Sequence, residues 1–377
     1  MNEFNQKIIS LADPVLGEEE QHALCHVIDS KWLTMGPRVA EFEQAFALLH
    51  KVDSAVAVCS CTAGLHLCLA ALGLGPGDEV LVPSLTFVAT VNAILYTGAT
   101  PVFVDIEKAD VPHISIEDAE ANLSRRTRAV IVMHYGGYLV DLLKWREFAD
   151  NHRVFLIEDA AHSPAVGEVG RWADASAFSF FGNKNMTTAE GGMVLARDES
   201  VLDRIRLMRS HGMTTVTLDR FRGHAFTYDV TALGYNYRMD ELRASIGLVQ
   251  LSHLLKWNQY RKQLTDDYRS LLNESASEVS IPFDRNHPTS AHILPALLPL
   301  NANREKIMQK LRDSGIQSSI HYPPVHKFSY YQNRFPGILL PNTEEFFARE
   351  ITLPLHPGLE IKDIKRVVQS LKNALNP

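Results

Sequence analysis

The order of short apolar runs in this sequence predicts an α/β fold. We expect a mostly parallel sheet covered by helices on both faces, followed by a smaller C-terminal α+β domain. Three observations carry the expectation. β-rich runs alternate with helical patterns over the first two-thirds of the chain, a long helical stretch follows, and the remainder mixes short elements with a Pro-rich loop. The change of pattern places the division near residue 245, with a large domain over 1–245 and a small one over 246–377.

Ala55 to Cys59 reads as the first strand, followed by a helix from about Ala63 to Leu72. Glu79 to Val82 is the next strand, with a helix near Phe87 to Tyr96. Pro101 to Val104, Ala129 to Met133 and Val154 to Ile157 continue the alternation, with a helix near Leu142 to Asn151. Strands near Ala177 to Phe181 and Met193 to Ala196 flank a polar, Gly-rich segment. Leu242 to Leu272 reads as long helical sequence with a bend near Trp257. His321-Tyr322-Pro323-Pro324 is a loop, because proline lacks the amide donor and the φ freedom that a regular element needs.

Composition narrows the class. The 377 residues suffice for two domains, and 46% hydrophobic with 21% charged residues is ordinary for a soluble globular protein. A net charge of −7 argues against a general nucleic-acid or membrane-surface binder. The 16 histidines form no metal-ligand pattern, so no metal is expected. Cys25, Cys59, Cys61 and Cys68 are too few and too poorly spaced for a disulfide framework or a zinc site; the last three read as reduced, buried small hydrophobes of a cytoplasmic protein. Met1 to Pro14 has no apolar signal core, and Ala55 to Gly75 is a strand-to-helix unit rather than a membrane span.

The residue that carries most chemistry is Lys184, downstream of a strand that ends in Glu158-Asp159. A reactive amine beyond a strand-terminal aspartate is what pyridoxal 5'-phosphate (PLP) needs. The amine forms a Schiff base with the aldehyde, and the carboxylate keeps the pyridine nitrogen protonated so that the ring accepts electrons. A carboxylate about 4 Å from that nitrogen gains roughly 4 kcal/mol at an effective dielectric near 20. Burial and the positive ring lower the basicity of the lysine, which then serves as the base that shifts a proton between neighbouring carbons.

Other segments supply the remaining contacts. Ser60-Cys61-Thr62-Ala63-Gly64 links a strand to a helix, where backbone N–H groups and the Thr62 hydroxyl face an anion such as the cofactor phosphate. Ser179 adds a second hydroxyl. Phe87, after the next strand, is either a ring that stacks on the pyridine or a core aromatic. His162 hydrogen-bonds either the phenolic oxygen of the ring or the aspartate. Each segment alone has an ordinary structural reading; together they favour the cofactor.

These segments resemble the DegT/StrS family of PLP-dependent nucleotide-sugar aminotransferases, within fold-type I of the aspartate aminotransferase superfamily. The resemblance spans nearly the whole chain, including Thr34 to Pro37, Ser60 to Gly64, Gly75 to Val80, Pro83 to Phe87, Gly98 to Asp105, Ile157 to His162, the Lys184 segment, Gly234 to Met239 and Ser319 to Pro324. It implies a seven-stranded-type sheet and a soluble enzyme with a homodimeric, shared active site. It further implies that Lys184 holds PLP, Asp159 binds the ring nitrogen, Thr62, Ala63 and Ser179 contact the phosphate, and Phe87 stacks on the ring. Where this chain has His162, many members have Gln. Asn236 matches a residue that reaches the phosphate of the neighbouring subunit, and Arg238, His321 and Tyr322 match positions near the nucleotide-sugar pocket. The Arg220 to His224 loop is either a diphosphate contact or a charged surface loop.

The expected reaction is amino transfer from an amino acid, L-glutamate by resemblance, to a keto group of a nucleotide-linked sugar. An aminocyclitol ketone is an alternative acceptor. A sugar dehydratase on the same scaffold is disfavoured by Lys184, since those members carry histidine there. A non-catalytic PLP-binding regulator is disfavoured by the full set of cofactor residues. A nicotinamide enzyme is disfavoured because no Gly-x-Gly-x-x-Gly follows a strand.

Overall fold

A computed structural model of the chain describes residues 8–214 and 227–375. Its centre is a seven-stranded sheet of strands β1 (Val56–Val58), β2 (Glu79–Pro83), β3 (Thr100–Val104), β6 (Thr127–Met133), β7 (Phe155–Asp159), β8 (Ala175–Ser179) and β9 (Gly192–Ala196), in the order β1-β9-β8-β7-β6-β2-β3. Only β9 runs antiparallel to its neighbours. The sheet is therefore mostly parallel, as expected. β2 and β6 carry continuous apolar runs, Val80 to Val82 and Ala129 to Met133, and β8 is buried throughout, because helices cover both faces.

The crossovers are helical. Helix α3 (Cys61–Ala71), α4 (Val88–Tyr96) and α6 (Leu142–His152) return the chain between strands and α7 (Glu199–Arg209) follows the last of them, while β4 (Ile106–Lys108) and β5 (Val111–Ile114) form a hairpin and α5 (Ile116–Ala121) follows it. Helix α3 lies very close to the sheet: a Cβ at Gly64 would meet Val194 Cγ2 at 3.0 Å. Two N-terminal helices, α1 (Glu18–Ser30) and α2 (Pro37–His50), pack on the long helix α8 (Glu241–Ser275).

Helix α8 buries Ala244, Gly247, Leu254, Asn258, Arg261, Leu264, Tyr268 and Leu272, a stripe with helical spacing. The helix runs unbroken through Trp257, so the expected bend does not interrupt it. Gly247 sits where a Cβ would come within 2.7 Å of the Phe42 ring. At its start, buried Glu241 accepts N–H bonds from Gly36, Arg38 and Val39 at 2.9–3.0 Å, a carboxylate placed on the N-terminus of α2.

The C-terminal part has its own two-stranded antiparallel sheet, β10 (Leu294–Leu297) and β11 (Glu350–Leu353), with α9 (Arg304–Asp313), α10 (Ser329–Arg334), α11 (Pro341–Arg349) and α12 (Ile361–Leu375). It shares one core with the second half of α8. A further cluster, with Tyr135, Tyr138, Phe283, Ile293, Leu297 and Phe346, joins this part to the large sheet. Cys61 and Cys68 are buried as expected; Cys59 is only half-buried.

Candidate active site

Parallel strands deliver their C-terminal ends to one edge of the sheet, where ligands of open α/β folds bind. Asp159 is the last residue of β7 and Ser179 the last of β8; Ser60 follows β1 and Phe87 lies beyond β2. A cavity of about 380 Å³ opens there, bordered by Ser60, Cys61, Thr62, Phe87, Asp159, His162, Ser179, Lys184, His321 and Tyr322, among others. The structure thus gathers eight of the residues singled out from the sequence: Thr62, Phe87, Asp159, His162, Ser179, Lys184, His321 and Tyr322.

Three others lie elsewhere. Ala63 is buried in α3, and its N–H is taken by the Ser60 hydroxyl at 3.2 Å, which caps that helix. Asn236 is exposed and Arg238 half-buried, and neither borders the cavity of its own chain. The Arg220 to His224 loop lies outside the described residues.

Asp159 is 4% exposed and held by two donors. Thr90 Oγ1–H donates to Oδ2 at 2.6 Å, and the Ala161 N–H donates to Oδ1 at 3.1 Å. Thr86 Oγ1 lies 2.7 Å from Thr90 Oγ1 and extends the chain. Burial pushes the Asp159 pKa up, while these hydrogen bonds and the Lys184 charge pull it back. A cation bonded to the carboxylate would complete that compensation.

Lys184 sits in the β8–β9 loop. Lys184 N–H donates to Phe181 O, Thr188 N–H to Phe180 O, and buried Asn185 and Met186 anchor the loop beneath. Burial lowers the amine from its usual range to about 8, against the opposing pull of Asp159. The amine is thus poised to exchange a proton near neutral pH.

His162 is 1% exposed. Its Nδ1 accepts the Gly136 N–H at 3.2 Å, so in the neutral ring Nε2 carries the proton and donates to Tyr322 Oη at 2.9 Å. Burial, then the charge on Lys184, holds its pKa well below the usual histidine range, so the ring is neutral. His321 Nδ1 lies 2.8 Å from Thr352 Oγ1, and burial lowers its pKa to about 4. Phe87 is 55% exposed, which sets aside the core-aromatic reading, and its ring centroid is 5.8 Å from that of Tyr322.

The cavity suits PLP on its own terms. It offers a buried acceptor for a ring N–H, an amine of lowered basicity, an aromatic face at the mouth, and the first turn of α3 with two nearby hydroxyls for a phosphate. The backbone of that turn lies so near β9 that a Cβ at Gly192 would be 2.8 Å from Cys61 N.

Reading the sequence missed Thr90, which lacks a motif but lies one helical turn after the strand-end segment Pro83 to Phe87. It also missed His292, whose Nε2 is 3.5 Å from Lys184 Nζ, and Asn185, which lies beside the lysine. Glu350, buried under His321 and accepting its N–H at 3.0 Å, has no local signature either.

Known proteins resemble this chain over nearly its whole length. Residues 14–372 match the model of the DegT/DnrJ/EryC1/StrS aminotransferase family. The structure of PseC from Helicobacter pylori, an aminotransferase involved in the biosynthesis of pseudoaminic acid, is similar with a TM-score of 0.91 and 29% identity, over 98% of this chain and 99% of that one. DesI, in the presence of its TDP-sugar product, is similar with a TM-score of 0.88 and 30% identity, over 99% of this chain and 94% of that one. NtdA from Bacillus subtilis, with bound cofactor PMP, gives a TM-score of 0.86 and 28% identity, over 95% of this chain and 82% of that one.

Proposed function

The chain belongs to the DegT/DnrJ/EryC1/StrS aminotransferase family, and from that premise we propose that it moves an amino group from an amino acid to the keto group of a nucleotide-linked sugar. It is a PLP-dependent aminotransferase. The observation that carries the substrate reading is the match of the whole fold to DesI, which was solved in the presence of its TDP-sugar product, combined with a cavity that both Lys184 and Asp159 line. We take L-glutamate as the donor.

The residues divide the work. When bound, PLP supplies an electron sink that lets a proton leave the carbon beside the substrate nitrogen. Asp159 would hold the ring N–H, its carboxylate fixed by Thr90 and Ala161. Lys184 would hold the cofactor through Nζ, then take and return the proton. The first turn of α3, Thr62 and Ser179 would bind the phosphate, and Phe87 would cover the ring. His162 would steady the ring side of the site through Tyr322, whose own O–H is free to turn to the cavity once Nε2–H occupies its oxygen. Arg238, His321 and Tyr322 are assigned to the sugar-nucleotide side.

We further propose a homodimer with shared sites. Asn236 is exposed and does not border its own cavity, which suits a residue that serves a second copy. A cytoplasmic location is proposed; no helix among the described residues is long and apolar enough to cross a membrane. Residues 1–245 are read as the cofactor-binding domain and 246–377 as the small domain, a division supported by the separate core of the C-terminal part.

The test is a panel of keto-sugar nucleotides and amino donors given to the PLP-loaded protein, with mass detection of products. An amino sugar nucleotide is expected, with glutamate consumed. A deoxy sugar without nitrogen, or an amine formed on cyclitol ketones alone, would refute the proposal.

A further inference from the structure

One imidazole outside the expected set reaches the reactive amine: His292 Nε2 lies 3.5 Å from Lys184 Nζ. The direction of the hydrogen bonds behind it follows from groups that have a single role. Carbonyl oxygens only accept. Asn258 Nδ2–H donates to Pro164 O at 3.0 Å, which leaves Asn258 Oδ1 to accept from Asn185 Nδ2–H at 2.7 Å. The same Asn185 amide donates to Ser290 O at 2.9 Å. Asn185 Oδ1 is therefore an acceptor, and it stands 2.8 Å from His292 Nδ1. Nδ1 must carry the proton. In a neutral ring that leaves Nε2 with a bare lone pair, facing Lys184.

The ring is neutral and fixed in place. His292 is 4% exposed, and burial, with the neighbouring Lys184 and Arg261 charges adding to it, keeps its pKa well below the usual histidine range. Its N–H donates to Gly136 O at 3.0 Å, and Arg261 Nη1 donates to its carbonyl at 3.4 Å. Gly137 permits this approach: its φ is +90°, and a Cβ there would lie 2.2 Å from Ser290 Oγ.

We propose that His292 is a positioning residue for Lys184, accepting a hydrogen bond from the lysine amine through Nε2, in a tautomer locked by the Asn185–Asn258 pair. The proposal rests on the reading of Lys184 as the amine that holds the cofactor. Ammonium and free amine both donate, so the contact survives proton loss. The charged donor binds more strongly, so the contact opposes the loss of basicity caused by burial. Against the ammonium, the opposite tautomer would set a donor against a donor and push the charged group out of line. The other titratable groups around the amine are Asp159, Cys61, His162 and His321.

The experiment uses the full chain stripped of cofactor, with thermal melts to verify folding. Lys184 is acylated by acetic anhydride across neutral to alkaline pH, and its modification is followed by peptide mass mapping. His292→Phe is expected to lower the midpoint by about half a pH unit, a roughly threefold change, as a charge-assisted hydrogen bond is lost. His292→Gln retains an amide oxygen as acceptor and should stay near the parent curve. Asn185→Leu keeps the imidazole but frees its tautomer, and should move with His292→Phe. The inference is overturned if His292→Phe matches the parent, or if His292→Gln falls as far as His292→Phe. Where His292→Phe does not fold, an unshifted Asn185→Leu overturns it equally. Borohydride trapping of PLP on the parent protein separates the two readings: an adduct away from Lys184 sinks the cofactor assignment, whereas an adduct on Lys184 with unshifted variants sinks only the role of His292.

Discussion

Two regions meet at Lys184, and they differ in how the chain builds them. The edge of the large sheet is local: β1 leads to Ser60 and Thr62, β7 to Asp159 and His162, and β8 to Ser179 and Lys184, each within a few residues of a strand end. The facing wall comes from far away in sequence. His292 is 108 positions from Lys184, and Tyr322 is 160 positions from His162. The sheet edge supplies the charged pair and the anion site; the facing wall supplies neutral imidazoles and a phenol. On the proposed reading, the groups that would make and break bonds sit where parallel topology puts them, while those that would tune them come from the C-terminal part of the chain.

The sharpest way to break this contrast is to remove a charged group from the sheet edge. Lys184→Ala should lower turnover by about 10⁴-fold or more, since it removes both the attachment point and the base. Asp159→Asn keeps the shape but removes a Coulomb term of roughly 4 kcal/mol, which corresponds to about a thousandfold. Turnover numbers with a saturating donor, beside thermal melts, check both. Losses of only a few-fold in either variant would erase the distinction between the two regions.

The lowered basicity of Lys184 sharpens the same point through pH. Capture of PLP requires the free amine. Below about 8 the ammonium dominates, so the capture rate of stripped protein should climb about tenfold per pH unit and level off above about 8. A plateau reached only near the ordinary lysine value would mean that burial does not act on this amine. Across the cleft the effect shrinks. Tyr322→Phe deprives His162 Nε2–H of its acceptor, at about 1 kcal/mol, and should cost several-fold in kcat/KM with little change in Tm.

The contrast also explains what could be read in advance. The sheet and its crossovers were legible because most strands are short apolar runs and some helix starts carry their own signal, such as Ser60 before α3 and Asp141 before α6. Lys184 and Asp159 were legible for the same reason. Helices α1 and α2 went unread: they are held by distant partners such as Glu241, which caps α2 from across the fold. His292 was illegible because nothing near Ser290-Ala291-His292 says which way the imidazole faces. That is decided by two asparagines and the Pro164 carbonyl from three other segments, together with the Ser290 carbonyl beside it. Phe87 reads equally well as core or cavity until its exposure is known.

The last expected effect, on stability rather than on turnover, lies deepest in the facing wall. Glu350 is fully buried and accepts from the His321 N–H at 3.0 Å and the Thr352 hydroxyl at 2.5 Å. Burial outweighs these donors and raises its pKa to about 8. The folded state then binds a proton that the unfolded chain releases above the ordinary carboxylate range. Stability from this group is therefore complete at acid pH and is lost as pH rises through about 8. Glu350→Gln is permanently neutral, so the gap between variant and parent in denaturant unfolding should shift in favour of the variant from about pH 5 to 8, by a few kcal/mol at most. The difference matters more than either curve, because the depressed pKa values of His162, His292 and His321 give both proteins an opposing slope at acid pH. Parallel curves would mean that Glu350 stays charged beneath His321, and the facing wall would then hold a charge of its own, contrary to the division drawn between the two regions.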